Sequence, residues 1–324
     1  MRAKVLRRTS SKRKLEIQKK ISKKYEKGNN VRLYLLIHYD GTPFSGSQAQ
    51  YGISCRTVQG ELWQALDALN LKSHVKRLHF ASRTDQGVHA QGQVAELDVS
   101  DDFLGRVPDL SLALNAKLPP EIAVTEVLEA GLPDERGYYP SVQFDTVAKW
   151  YRYKWLLAPT RRPHQARNAT LIHQPFNVAR MQDAAQNFVG EHTFSYFKSP
   201  GSSVTDDRCL LHYASFSQQF DEEITFDLVG NRFLYKMVRN MVAYLHGLGD
   251  NRSQASTSLL SAQDVLGQCD RPASLRTAPS QGLTLMAIHY EAPCLQFNDV
   301  RVKTLSHALK KEFSNVENLF CQNR

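Results

Sequence analysis

The stretch from Ala81 to Gln93 reads A-S-R-T-D-Q-G-V-H-A-Q-G-Q and lies between two strand-like segments, Val75 to Ala81 and Gln93 to Val99. It carries one carboxylate, Asp85, in a polar loop that contains two glycines. Glycine removes the side-chain barrier to close approach, so such a loop brings a carboxylate near a substrate. The adjacent Arg83 favours the ionised carboxylate that a nucleophile or base needs. An ordinary surface turn remains the alternative, because Asp-x-Gly is a turn signature.

Strand and helix patterns continue on both sides of this loop. Further strands are predicted at residues 31–39, 122–128, 149–157, 209–216, 224–229 and 283–290. Helices are predicted at residues 58–69 behind the N-cap Thr57, at 110–117, after Asn177, at about 233–248, and within 292–324. Strands and helices that mix without strict alternation, in two halves of similar content, predict an α+β fold with mainly antiparallel sheets.

The chain is predicted to have four segments: a basic arm at 1–30, an N-terminal α+β half at 31–140, a C-terminal half at 141–291 and an extension at 292–324. Charge distinguishes the first of them. The arm has twelve Lys and Arg against two Glu, a net +10, so the other residues sum to −1 of the total +9. Such an arm is either a flexible solubilising segment or binds polyanions, nucleic acid foremost. It is Lys-rich and carries acids, which favours a cytoplasmic protein over one with an organelle-targeting peptide.

Several kinds of site are not expected. The five cysteines are widely spaced and form no Cys-x-x-Cys pair, so neither a zinc site nor a disulfide framework is predicted, and a reducing compartment fits best. No apolar run approaches the roughly 18 residues that a membrane-spanning helix needs. We therefore expect no metal and no membrane partner.

The loop at 82–90 resembles the signature of the tRNA pseudouridine synthase A family, written approximately as G-R-T-D-A-G-V-H-A. Other segments are similar to family motifs and follow in the family's order: Tyr39 to Gly46, Thr57 to Leu62, Leu114 to Pro119, Tyr151 to Tyr153, Gly190 to Phe194, Met237 to Asn240 and Ala278 to Leu283. Together they extend from about Val31 to Tyr290. The chain is identified as a member of this family.

The resemblance implies a fold and an activity. The fold is that of pseudouridine synthases, in which two halves with abutting, mainly antiparallel sheets are flanked by helices and enclose an active-site cleft. The implied reaction converts uridine to pseudouridine in the anticodon arm of tRNA, without a cofactor or a metal. The implied partners are tRNA and a second copy of the chain, as a homodimer.

The resemblance also implies three catalytic residues. Asp85 takes the role of the nucleophile, Arg239 that of the arginine that pairs with it, and Tyr151 that of the tyrosine that stacks on the base and helps to move its C5 proton. From the residues alone, plainer interpretations exist. An aromatic residue in a strand usually belongs to the core, and an arginine beside an apolar helical face often only extends its charged end to solvent.

Three further residues are expected to contact RNA. Arg83 matches the residue thought to fill the gap left by a base that flips out of its helix. Arg152 and Lys154 begin a basic run that continues to Arg167, and such a run either follows phosphates or forms a solvated edge.

The chain departs from the family pattern at three positions. Ser47 stands where the family usually has Trp, Gln143 where it has Arg, and Ala243 where glycine is common. These changes leave the nucleophile in place, so they bear on substrate preference more than on reaction type. Two other functions stay open: the same chemistry on another RNA or tRNA position, and RNA binding without catalysis. A hydrolase is less favoured because no second catalytic carboxylate or histidine has a recognisable spacing.

Overall fold

The computed structural model describes residues 30–49, 55–131, 133–135, 137–173, 177–201, 204–219, 222–250 and 260–311. The basic arm up to residue 29 and the chain after residue 311 lie outside the described residues. The predictions for those segments are therefore not addressed by the structure. No helix in the described ranges is long and apolar enough to cross a membrane.

The described strands form one mixed sheet. Its strands are β1 (Asn30–Tyr39), β2 (Val75–Phe80), β3 (His89–Ser100), β4 (Ile122–Glu129), β5 (Thr146–Leu157), β6 (Thr170–Ile172), β7 (Gly190–Thr193), β8 (Arg208–Gln219), β9 (Glu223–Gly230) and β10 (Leu283–Tyr290). Their order is β4-β1-β3-β10-β5-β9-β8-β7, with β2 also on β3 and β6 also on β5. Most neighbours are antiparallel, as the sequence predicts.

Helices accompany both halves of the sheet. They are α1 (Val58–Ala68), α2 (Leu110–Asn115), α3 (Val178–Gln186), α4 (Met237–Gly249), α5 (Ala262–Leu266) and α6 (Val300–Lys310). The N-cap predicted at Thr57 is confirmed, because its side chain accepts a hydrogen bond from the amide of Gly60. The α+β class is confirmed as well.

The two halves meet where β3 of the first half pairs with β10 of the second. The pairing is parallel and short, with Thr284 opposite His89 and Leu285 opposite Ala90. A side chain at Gly92 would place its Cβ only 2.3 Å from the carbonyl oxygen of Met286, so glycine permits this close approach of the strands. The abutting sheets expected from the resemblance are thus continuous at this join.

Some element bounds differ from the predictions for local reasons. The helix expected from about Phe233 begins at Met237, because Lys236 has a left-handed backbone with φ of 56° that an α-helix does not accommodate. The short elements β6, β7 and α5 were not predicted. Segments of three to five residues carry too few side chains to show a period.

Candidate active site

The loop that carries Asp85 lies at the join between the two halves. It follows β2, which ends at Phe80, and precedes β3, which begins at His89. The first two residues of β3 are the ones that pair with β10. The loop therefore faces residues from the C-terminal half, and a site built on it draws side chains from both halves.

Buried hydrogen bonds fix the loop backbone. The amide of the fully buried Gln93 donates to the carbonyl oxygen of Ser82 at 2.8 Å and accepts from the Ser82 amide at 3.3 Å. The hydroxyl of Ser47 accepts the Thr84 amide at 2.9 Å, and the Thr84 hydroxyl lies 2.8 Å from the Tyr39 hydroxyl. Ser47 is one of the departures from the family pattern, and here its small polar side chain anchors the loop that carries Asp85.

A glycine in the opening turn lets that turn pack against the loop. Gly46 has a φ of +110°, and a Cβ at this position would lie 2.8 Å from the carbonyl oxygen of Thr84. A side chain is therefore excluded both by the backbone conformation and by space.

The structure brings Asp85 and Arg239 together, although they are 154 residues apart in sequence. The Nη1 of Arg239, near the start of α4, donates to Oδ2 of Asp85 at 2.7 Å. Its Nε donates to the carbonyl oxygen of Ala278 at 2.8 Å, which fixes the guanidinium. The side chain of Asp85 is 23% exposed, so the carboxylate is held in place and still accessible from solvent.

Tyr151 reaches the same site from β5. The side chain is largely buried, its ring meets Phe233 edge to face at a centroid distance of 5.1 Å, and its hydroxyl lies 3.1 Å from the Ser82 hydroxyl. Burial raises the pKa of Tyr151 to about 12, the negative charge of Asp85 adds to the rise, and the hydrogen bond with Ser82 opposes it. The hydroxyl is thus protonated at neutral pH.

These side chains line one cavity of about 370 Å³, which includes space open to solvent. Asp85, Tyr151 and Arg239 lie in its wall, and Arg83 and Lys236 add positive charge; the remaining lining residues are Thr84, Val88, Phe233, Leu234, Met237, Val238 and Leu283. This mixture of apolar and positively charged groups suits a ligand that has both a flat ring and a negative charge. Among the described residues, no group of three or more His, Cys, Asp or Glu is arranged to hold a metal ion.

The residues expected to contact RNA have different environments. Arg83 is exposed at the cavity, where no ion pair engages it within the described chain. Lys154 is about one-third exposed and pairs with Glu223 at 3.0 Å. Arg152 has an environment that favours a structural role over an RNA contact. Its side chain is only 6% exposed and binds both carboxylate oxygens of Asp227, so its donors face the protein interior.

Residues to which the sequence analysis gave no role complete the site. Ser82 contacts the Tyr151 hydroxyl, Gln93 holds the loop, and Phe233 and Lys236 line the cavity. Gln93 sits in a segment that reads as ordinary strand. The only signal for Phe233 and Lys236 is that they lie within the four residues before the M-V-R motif.

The pKa of Tyr151 leads to a testable pH dependence. The raised pKa keeps the Tyr151 hydroxyl protonated, whereas a free tyrosine titrates near pH 10. Ionisation of Tyr151 is therefore expected to cause no change in turnover between about pH 7 and pH 10. The measurement is kcat against pH for the wild type and for Tyr151→Phe. A transition near pH 10 that the wild type shows and the variant lacks would contradict the assignment.

Known proteins are similar in sequence to this chain along most of its length. The family model described as tRNA pseudouridine synthase matches residues 184–291. Proteins named tRNA pseudouridine synthase A are 36% identical in Limosilactobacillus fermentum, over 83% of this chain and 99% of that protein, and 37% identical in Solidesulfovibrio magneticus, over 81% and 92%. A third, from a Geobacillus species, is 36% identical over 80% and 98%. The chain therefore belongs to the tRNA pseudouridine synthase A family.

Proposed function

We propose that this chain converts uridine to pseudouridine in tRNA, with Asp85 as the nucleophile and without a cofactor. The observation that carries the proposal is the pairing of Asp85 with Arg239 at 2.7 Å in the wall of a cavity that also holds Tyr151. An accessible carboxylate, fixed by an arginine and facing an aromatic ring, is suited to nucleophilic attack on a bound nucleoside. Noncatalytic RNA binding would not need that carboxylate.

The reaction is an isomerisation, so substrate and product have the same composition. The Asp85 carboxylate attacks the target nucleoside and the glycosidic bond from C1′ to N1 of uracil breaks. The uracil turns within the cavity, a bond forms between C1′ and C5, and the bond between Asp85 and the nucleoside breaks, which restores the free carboxylate. The proton on C5 is lost and N1 gains one, which leaves no net change in atoms or electrons.

The neighbouring side chains support these steps. Arg239 holds the carboxylate in one orientation through its own hydrogen bond to Ala278. The Tyr151 ring stacks on the uracil, and its protonated hydroxyl takes part in moving the C5 proton. Arg83 is an exposed planar cation beside the cavity, which suits it to fill the space that a flipped nucleotide leaves in the RNA.

The proposed substrate site is the anticodon arm of tRNA, and the proposed assembly is a homodimer that binds one tRNA. The names of the relatives support tRNA as the substrate. The family resemblance supports the anticodon arm as the target and the homodimer as the assembly. Lys154 is retained as a candidate RNA contact, because part of its side chain is exposed. A solution mass equal to one chain, with or without tRNA, would contradict the dimer.

The direct test is release of tritium from tRNA labelled at C5 of uridine, since the C5 proton leaves in this reaction and not in binding. We expect release by the purified full-length chain, followed by mapping of the modified uridines to the anticodon arm. Release with modification elsewhere would retain the chemistry and reject the target. Tight binding without release from any tRNA would instead favour a binding protein or another RNA substrate.

A further inference from the structure

The six residues between β9 and α4 contribute part of the wall of the proposed active site. Phe233, Leu234 and Lys236 of this segment line the cavity, and Tyr235 lies between them in sequence. Tyr235 is 43% exposed, and it is the one aromatic ring among the exposed large apolar side chains of the described chain. The reaction does not use it. The ring is not part of the cavity wall, but it contacts Lys236, which is, so it is available to a ligand that extends beyond the cavity past Lys236.

The backbone around Tyr235 is held in a fixed conformation. Its carbonyl oxygen accepts a hydrogen bond from the Ser199 amide at 3.0 Å, and the preceding Leu234 is buried. The following Lys236 has a φ of 56°, a left-handed conformation that side chains other than glycine rarely adopt. Such strain persists only where the surroundings impose it, and it commonly occurs at ligand-binding sites.

Charge next to the ring adds a second independent feature. The ammonium group of Lys236 lies 5.0 Å from the centroid of the Tyr235 ring, and the same lysine lines the cavity. An aromatic ring beside a cation is the combination with which proteins bind single-stranded nucleic acid, since bases stack on rings and phosphates approach cations.

We propose that Tyr235 is a stacking subsite for the nucleobase next to the target uridine. In the proposed reaction one nucleoside is flipped into this cavity, so the nucleotides on either side of it lie outside the cavity, at its edge. The face of Tyr235 away from Lys236 then receives the neighbouring base, and Lys236 lies close to the phosphate between the two nucleotides. This inference rests on the proposed function, because it assigns a neighbour to that substrate.

The effect is expected on substrate binding and not on chemistry. Replacing Tyr235→Ala removes the stacking and raises KM for tRNA by about 5- to 150-fold, the effect typical of losing one base–aromatic stack. It leaves kcat within about twofold, because binding energy shared by ground and transition states does not alter the chemical step. Tyr235→Phe keeps the ring and retains the wild-type KM. Leu112→Ala, which shortens another exposed apolar side chain, serves as the matched control.

A double-mutant cycle separates stacking from a general loss of binding. A tRNA with an abasic site on either side of the target uridine is assayed with the wild type and with Tyr235→Ala. At one of the two positions, the abasic site should weaken binding to the wild type by the same factor as the mutation and have little further effect on the variant. Equal abasic penalties for both proteins, at both positions, would overturn the proposal.

The same assays keep this inference apart from the proposed function. Tritium release tests the reaction, and the dissociation constant of the tRNA complex, measured in parallel, tests the stacking even if no tritium is released. Release by the wild type with an unchanged KM and dissociation constant in Tyr235→Ala would reject the stacking subsite and leave the reaction intact. Loss of binding in Tyr235→Phe equal to that in Tyr235→Ala would also reject it, because the ring is then not what binds.

Discussion

Asp85→Ala is expected to abolish tritium release from tRNA, with turnover lower by roughly four orders of magnitude or more, as for other removed nucleophiles. Among the described residues that line the cavity, Asp85 is the only one with a carboxylate, so none of these neighbours takes over the attack on the nucleoside. The measurement is single-turnover release at saturating enzyme, which separates the chemical step from substrate binding.

The variant should fold and bind tRNA. Asp85 and Arg239 are both partly exposed, and Arg239 keeps its hydrogen bond to Ala278 when the carboxylate is gone, so the guanidinium that remains is still in contact with solvent. The dissociation constant for tRNA should therefore stay close to that of the wild type. If the variant lost tRNA binding as well as tritium release, the result would point to a structural role for Asp85 instead.

Two further variants sharpen the result. Asp85→Asn keeps the shape of the side chain and removes its charge, and it should be as inactive as Asp85→Ala. Asp102→Ala removes another carboxylate that pairs with an arginine, Arg106, on the exposed surface, and it should be fully active. Residual release by Asp85→Asn near the wild-type rate would contradict the nucleophile, because an amide does not replace a carboxylate in this attack.

The sequence predicts the individual elements of this site better than it predicts which of them come into contact. The loop of Asp85 is visible as a polar, glycine-containing segment between two strands. Its ion pair with Arg239 was expected only from the family resemblance, because a contact across 154 residues leaves no local pattern. The parallel pairing of β3 with β10, which closes the site, is likewise a long-range event that strand periodicity does not reveal.

Strand β5 shows the limit of local patterns most clearly. Neighbouring residues of a strand point to opposite faces, so Tyr151 and Arg152 were bound to differ in environment. The sequence does not reveal which face is open. The register of β5 with β9 places Arg152 opposite Asp227, and this cross-strand partner turns a residue of a basic run into a buried ion pair. Register depends on the whole sheet, and a run of charges in the sequence carries no information about it.

The buried pair also allows the largest stability prediction. Arg152→Ala is expected to lower the free energy of unfolding by about 3–5 kcal/mol, because it leaves the carboxylate of Asp227 buried without its arginine. The indole nitrogen of Trp150 also donates to that carboxylate, at 2.6 Å, but a neutral donor does not compensate the charge. The measurement is denaturant or thermal unfolding of the purified chain.

A surface pair provides the control for this prediction. Arg162 makes an equally close bidentate contact with Glu222, but both side chains are exposed, so Arg162→Ala should leave the free energy of unfolding close to that of the wild type. Comparable losses in the two variants would mean that burial is not what makes the Arg152 pair important.

A double replacement distinguishes a structural arginine from one that binds RNA. Arg152→Met combined with Asp227→Leu removes both charges and keeps apolar volume, and it should regain most of the stability that Arg152→Ala loses. If Arg152 acts only within the protein, the folded double variant binds tRNA with the wild-type affinity, and that affinity depends on salt as it does in the wild type. If the double variant were stable but bound tRNA less tightly and with a smaller salt dependence, Arg152 would be a phosphate contact after all, since each lost phosphate contact lowers that dependence.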